Sequence, residues 1–134
     1  MKYRPQFLEI LQDMVVRMVR QDDRDLTARQ LAVLLMSCLD DPPHTVHGLA
    51  ILLEVPRPSI SRAIDRLEQL HLVERTEHQG DRRNVLAVGT ASGRALVREL
   101  GTMMLEAAGT AHRPSAGFGS HRSRWPVDAP TTKG

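Results

Sequence analysis

Residues 55–90 read VPRPSISRAIDRLEQLHLVERTEHQGDRRNVLAVGT, and this stretch decides the fold. A helix is predicted from Pro58 to His71, because apolar residues recur there at spacings of three and four. These residues form one apolar stripe: Ile60, Ala63, Ile64, Leu67 and Leu70. Pro58 suits a first-turn position, where its missing N–H leaves no helical hydrogen bond unmade. The opposite face of the helix carries polar residues: Ser61, Arg62, Asp65, Arg66 and Gln69.

This polar face has the composition of a surface that reads DNA. The major groove admits one helix, Arg pairs bidentately with guanine, and Ser and Gln reach other base edges. The alternative is a solvated face on which Arg62 and Arg66 pair with acidic neighbours such as Asp65. The helix by itself leaves both interpretations open.

Two β-like runs follow the helix, Leu72–Glu77 and Asn84–Val88, and side chains alternate in the second. Gly80 in the connection supplies the turn conformation. The connection ends in a charged tip: Asp81, Arg82 and Arg83. A helix followed by such a hairpin is a winged helix, whose tip is placed to reach a minor groove, where arginine meets enhanced negative potential. Asp81 is placed to hold Arg83 in position through hydrogen bonds. The alternative to a wing that contacts DNA is an ordinary surface hairpin.

Helical periodicity recurs in the rest of the chain. Four more helices are predicted: Pro5 to Val19, Thr27 to Leu39, Val46 to Leu53 and Thr90 to Ala108. Thr27 and Gln30 form a capping-box pattern, and Thr45 is placed to cap the third of the five helices. The predicted fold class is therefore mainly α with a small β-hairpin wing, in the order α-α-α-α-β-β-α.

The first predicted helix is apolar over more of its surface than one packing contact requires. Nine of the fifteen residues from Pro5 to Val19 are apolar. Such a helix needs cover on two sides, which indicates a second subunit. Packing within its own chain is the alternative.

The charge of the chain is unevenly distributed. The formal net charge is +2, but residues 110–134 hold four basic residues against one acidic residue. Residues 1–109 hold 14 basic and 15 acidic residues, so any DNA binding there must come from arginines gathered on one face. Residues 110–134 are rich in Gly, Pro and Ser without periodicity, which predicts a disordered basic tail.

Other functional classes find little support in the sequence. No catalytic grouping or nucleotide-binding glycine pattern is present, so we expect neither an enzyme nor a cofactor. His44 and His47 lack a third nearby ligand, so no metal site is expected. Cys38 lies in an apolar helix, where a small core residue is a more ordinary role than redox sensing. The single cysteine and the absence of a signal peptide or long apolar span indicate a cytoplasmic protein without membrane contact.

The segment from Leu26 to Leu100 resembles the MarR family of bacterial winged-helix transcription regulators. The matching residues are, in order, Leu26-Thr27-x-x-Gln30, the run from Ser61 to Arg75, Asp81-x-Arg83 with Leu86 and Val88, and Thr90-x-x-Gly93. The resemblance implies a winged helix-turn-helix whose turn is at residues 54–57. Gly89 departs from the family pattern, because a strand residue usually stands there, and it bears on where the second wing strand ends.

The resemblance also implies roles for single residues. Arg57 and Ser59, at the turn, are placed for phosphate contact by resemblance and by their expected exposure. Ser61 and Arg62 would read bases, and Arg66 would hold a phosphate. The wing would contribute Asp81, Arg82 and Arg83, with Arg83 entering the minor groove.

The predicted organisation is a winged-helix domain at residues 1–109 with a DNA-binding lobe at 27–90. Its first and last helices would form a homodimer, and the tail would cover 110–134. Such a dimer binds double-stranded DNA at a pseudo-palindromic operator, with recognition helices about one helical turn apart. Family behaviour implies release by a small aromatic effector. The alternative function is a winged-helix protein-interaction module that does not bind DNA.

Overall fold

The fold is seen in a computed structural model, which describes residues 5–21, 25–78 and 81–111, with only the backbone described at 5, 78, 81–83, 110 and 111. Within these ranges the elements are α1 Pro5–Arg20, α2 Ala28–Leu39, β1 His44–Thr45, α3 Val46–Leu53, α4 Arg57–Gln69, β2 Val73–His78, β3 Asp81–Gly89 and α5 Ala91–Ala111. The mainly α winged-helix prediction is confirmed. In the described ranges, no helix has the length and apolar content needed to cross a bilayer.

Strand β1 was not predicted, and it fixes the wing to the helix-turn-helix. The sheet is antiparallel with β3 at its centre, in the order β1-β3-β2. His44 pairs with Ala87 and Thr45 pairs with Leu86. Thr45 also caps α3, because its Oγ1 accepts a hydrogen bond from the N–H of Gly48 at 2.9 Å. The start of α3 is therefore held directly against the central wing strand.

The hairpin is longer than its sequence pattern predicts. Strand β3 begins at Asp81 rather than Asn84, and His78 is paired with Asp81 after a register irregularity at Glu77 and His78. Asp has low strand propensity, so pairing with β2 rather than local preference starts the strand at Asp81. The turn role predicted for Gly80 lies outside the described residues. The predicted tail also lies outside them, except for residues 110 and 111, whose backbone continues α5.

The core is aliphatic and centres on α4. The predicted stripe is confirmed, because Ile60, Ala63, Ile64 and Leu67 are buried and Leu70 is partly buried. The core residues contributed by other elements include Val33, Leu34, Leu49, Leu72, Val73, Ala87, Leu96 and Leu100. Burial of this stripe holds α4 in place and leaves its polar residues on the other side.

The Thr90-x-x-Gly93 motif joins α5 to the turn that follows α4. The hydroxyl of Thr90 donates to the carbonyl of His71 at 2.6 Å and accepts from the N–H of Gly93 at 3.0 Å. The N–H of Thr90 donates to the carbonyl of Leu72 at 3.1 Å. The same motif therefore caps α5 and fixes the chain between α4 and β2.

The presence of glycine at position 89 is explained by the residues of α2 that lie against it. Strand β3 includes Gly89, which pairs with Val73, so the strand continues through this departure from the family pattern. A Cβ atom on Gly89 would lie 2.5 Å from Sγ of Cys38 and 3.3 Å from the carbonyl oxygen of Ser37. The space that a side chain would need is occupied by α2.

Replacing Gly89 by Ala should lower the free energy of unfolding by about 1–3 kcal/mol, because the added methyl group overpacks this contact. In a Cys38→Ala background the same change should cost less by about 1 kcal/mol, since the closest atom has been removed. Urea unfolding of the two single variants and the double variant measures this coupling. Strictly additive losses would show that Cys38 is not the obstacle.

Candidate nucleic-acid interface

A tight turn separates α3 from α4. Glu54 ends α3 in the left-handed region at φ 55°, and its N–H donates to the carbonyls of Ala50 and Ile51. Pro56 then adopts extended backbone and precedes α4, whose first turn contains Pro58 as predicted. The two helices form the helix-turn-helix expected from the sequence.

The polar surface of α4 consists of two neighbouring stripes rather than one face. Ser61, Asp65 and Glu68 follow one another at spacings of four and three, and we call them the acidic stripe. The next stripe around the helix has the same spacing, and we call it the arginine stripe: Arg62, Arg66 and Gln69. The first stripe faces the wing, whereas Arg62 and Gln69 are exposed and Arg66 is partly buried.

Arg75 of β2 holds the acidic stripe. Its Nη2 donates to the carbonyl oxygen of Ser61 at 2.9 Å and to Oδ1 of Asp65 at 2.7 Å. Its Nη1 donates to Oε1 of Glu68. The guanidinium therefore joins both carboxylates of this stripe to the wing strand, as the forked geometry of Arg permits.

The arginine stripe is left without acidic partners in the part of the chain whose side chains the structure describes. Asp65, which the alternative interpretation paired with Arg62 or Arg66, is bound to Arg75 instead. Neither Arg62 nor Arg66 forms an ion pair with a described side chain. Two guanidinium groups are thus available on one side of the helix.

A groove of about 440 Å³ lies between the starts of α3 and α4 and the wing strands. Its lining residues are Val46, His47, Arg57, Ser61, Arg75, Asn84 and Val85. The structure thus brings Arg57 and Ser61 together with three polar residues that sequence reasoning did not select, namely His47, Arg75 and Asn84. No local pattern marks these three, because only pairing of distant strands brings them to one groove.

The prediction that Ser59 is exposed is wrong. Ser59 is only 8% exposed. It precedes Ala63 and Leu67 at spacings of four, and both of those residues are buried in the core. Position in the first turn suggested exposure, but helical phase directs this side chain inward. Arg57, at the same turn, is exposed as expected.

The predictions for the side chains of the wing tip, Asp81, Arg82 and Arg83, lie outside the described residues. The structure gives only their backbone, as the first three residues of β3. They remain predictions from the sequence.

The other candidate residues have structural surroundings of their own. His44 is bonded to Asp40, with 2.7 Å between Nε2 and Oδ2, and the described residues contain no group of three or more side chains suited to a metal ion. Burial raises the pKa of the Cys38 thiol, with the charge of Arg94 opposing the effect. A thiol of this kind stays protonated near neutral pH, as expected of a small core residue.

Comparisons with known proteins agree with this fold. Residues 26–85 match the sequence model of the MarR family. CouR from Rhodococcus jostii RHA1, solved bound to p-coumaroyl-CoA, is 26% identical, with 86% of this chain and 80% of that chain covered and a TM-score of 0.58. A MarR-family transcriptional regulator from Rhodococcus sp. RHA1 is 24% identical, with 86% and 79% covered and a TM-score of 0.59. No curated protein matches the chain.

A fold likeness also extends to a DNA complex. A mutant of MepR from S. aureus, solved bound to an oligodeoxyribonucleotide, is 19% identical, with 92% of both chains covered and a TM-score of 0.69. At this identity the likeness concerns the fold alone.

Proposed function

We propose that the chain is a member of the MarR family of transcription regulators, whose sequence model its residues 26–85 match, and that it binds double-stranded DNA through α4 and the wing. The observation that carries this proposal is the arginine stripe, whose two guanidinium groups are not engaged by the acidic residues described beside them. In this arrangement Arg62 reads a base edge in the major groove and Arg66 holds a phosphate. Arg57 and Ser61, on the groove toward the wing, complete the contact on α4.

The wing extends the proposed contact beyond α4. Strand β1 ties the start of α3 to β3, so the helix-turn-helix and the wing are held to one sheet. From the sequence, the wing presents Asp81, Arg82 and Arg83 at the start of β3, with Arg83 in the minor groove. A regulator of this kind acts on chromosomal DNA, in the cytoplasm.

The proposed binding unit is a homodimer formed by α1 and α5. These helices are joined by an ion pair between Arg17 and Glu106 and expose a set of large apolar side chains: Phe7, Leu8, Leu11, Val15, Val19, Met104 and Leu105. An exposed apolar face made of seven large side chains marks an interface. A second copy of the chain covers it in the proposed dimer and sets two copies of α4 against a pseudo-palindromic operator.

Replacing Leu11 by Glu should dissociate the dimer without unfolding the domain. Leu11 is 50% exposed in the single chain, so the folded monomer tolerates a charge there, whereas the interface would bury it twice. We expect a loss of about 2 kcal/mol or more in dimerisation, measured by sedimentation equilibrium. Ile51→Glu is the matched control, because Ile51 is 63% exposed but lies on α3. A wild-type monomer, or a Leu11→Glu variant that stays dimeric, would contradict this interface.

The dimer is further proposed to release DNA when a small aromatic molecule binds. The family resemblance suggests this response, and the p-coumaroyl-CoA complex of CouR is a precedent for a bound aromatic ligand in a similar protein.

Retardation of duplex DNA by the purified protein tests the function. We expect binding to fragments from the source genome with a sequence preference over random duplexes and with strong salt dependence. Absence of any retardation at low salt would overturn the proposal. That outcome would favour the protein-interaction module, which the near balance of charge in residues 1–109 otherwise supports.

A further inference from the structure

Arg75 lies at the boundary between α4 and the wing, and its charge is used within the protein. Its side chain is 31% exposed, and the guanidinium is bonded to a carbonyl and two carboxylates of α4. Although Arg75 lines the groove, its hydrogen-bond donors point to Ser61, Asp65 and Glu68. It is therefore poorly placed to act as a phosphate ligand itself.

The two carboxylates that Arg75 binds would weaken DNA binding if they were released. The side chains of Asp65 and Glu68 are 59% and 37% exposed, so their negative charges are accessible to bound DNA and would repel its phosphate groups. Asp65 is three residues after Arg62, a spacing at which opposite charges on a helix attract each other. A released Asp65 would therefore compete with DNA for Arg62.

We propose that Arg75 is a positioning residue for DNA binding, which keeps Asp65 and Glu68 against β2 so that Arg62 and Arg66 remain free for DNA. The inference rests on the proposed function. It assigns Arg75 an effect on affinity through the arginine stripe rather than through its own contact with DNA.

The test is Arg75→Gln alone and combined with Asp65→Asn and Glu68→Gln. For Arg75→Gln we expect DNA affinity to fall about tenfold and the salt slope to fall by about one, because a released carboxylate offsets one of the cations that face the phosphates. In the triple variant the carboxylates are gone, so affinity should return to within about threefold of wild type, with the salt slope restored.

A merely structural tether predicts a different result, because the triple variant also lacks the link between α4 and β2. A triple variant as weak as Arg75→Gln, or an Arg75→Gln variant with unchanged affinity and slope, would overturn the inference. The melting temperature of each variant is measured as well, to show that the variant is folded. If Arg75→Gln does not fold, Arg75→Lys replaces it, since Lys lacks the fork that holds two carboxylates, and the same rescue by Asp65→Asn and Glu68→Gln is expected.

The two proposals fail in distinguishable ways. Wild-type protein that does not retard DNA at all contradicts the proposed function. Wild-type protein that binds DNA and loses affinity on Arg62→Ala, while Arg75→Gln binds normally, contradicts only the role of Arg75.

Discussion

Replacing Arg62 by Ala should weaken binding to the operator by about 1–3 kcal/mol, or roughly 5- to 150-fold, and relax the preference at one base pair. Arg62 is exposed, and its acidic neighbour Asp65 is bound to Arg75. The side chain therefore has no described ion pair to lose when it turns to a base, and its removal takes away a contact without freeing a buried charge.

Fluorescence titration of a selected operator and of a random duplex, at one salt concentration, measures this effect. The loss should be larger for the operator than for the random duplex. Arg98→Ala is the matched control, because Arg98 is also an exposed helical arginine but lies on α5. Equal losses for both duplexes would assign Arg62 to a phosphate, and no loss for either would remove it from the interface.

Replacing Gly93 by Ala should destabilise the fold by about 3 kcal/mol, at the upper end of the overpacking range. A Cβ atom at this position would lie 2.0 Å from the carbonyl oxygen of Leu72. That oxygen is fixed, since it accepts a hydrogen bond from the N–H of Thr90. The backbone must therefore move apart between α5 and the turn after α4.

Gly101→Ala provides a control of opposite sign in the same helix. A Cβ atom on Gly101 would meet nothing within 4 Å, so the substitution should add about 1 kcal/mol of helix stability. Urea unfolding at one fixed protein concentration compares the two variants, because the proposed dimer makes stability depend on concentration. Equal effects of the two substitutions would contradict the close approach at Gly93.

Local sequence patterns were sufficient to predict most of the helices. The stripe of Ile60, Ile64 and Leu67 identified α4 and its buried side. The capping box could also be predicted from the sequence, because it depends on two residues that are three positions apart. The N–H of Thr27 donates to Oε1 of Gln30 at 3.0 Å, and the N–H of Gln30 donates to Oγ1 of Thr27 at 3.1 Å. Periodicity and capping are short-range, and a single sequence displays them directly.

Features that depend on pairing between distant segments were not predicted from the sequence. Strand β1 has two residues, too few to show an alternation, and it exists because β3 lies beside it. Arg75 belongs to a strand pattern, and nothing local indicates that it reaches the acidic stripe of α4. The burial of Ser59 follows from helical phase in a first turn, where a shift of one residue turns a side chain by about 100° around the helix axis.

The salt dependence of DNA affinity tests the central claim most directly, because it counts the cations that the protein places on phosphates. We expect salt-dependent binding by the wild type and, for the Arg62→Ala, Arg66→Ala double variant, a weaker affinity, a slope lower by about one because Arg66 holds a phosphate, and an unchanged melting temperature. A double variant with the slope and affinity of the wild type would show that the arginine stripe does not bind DNA.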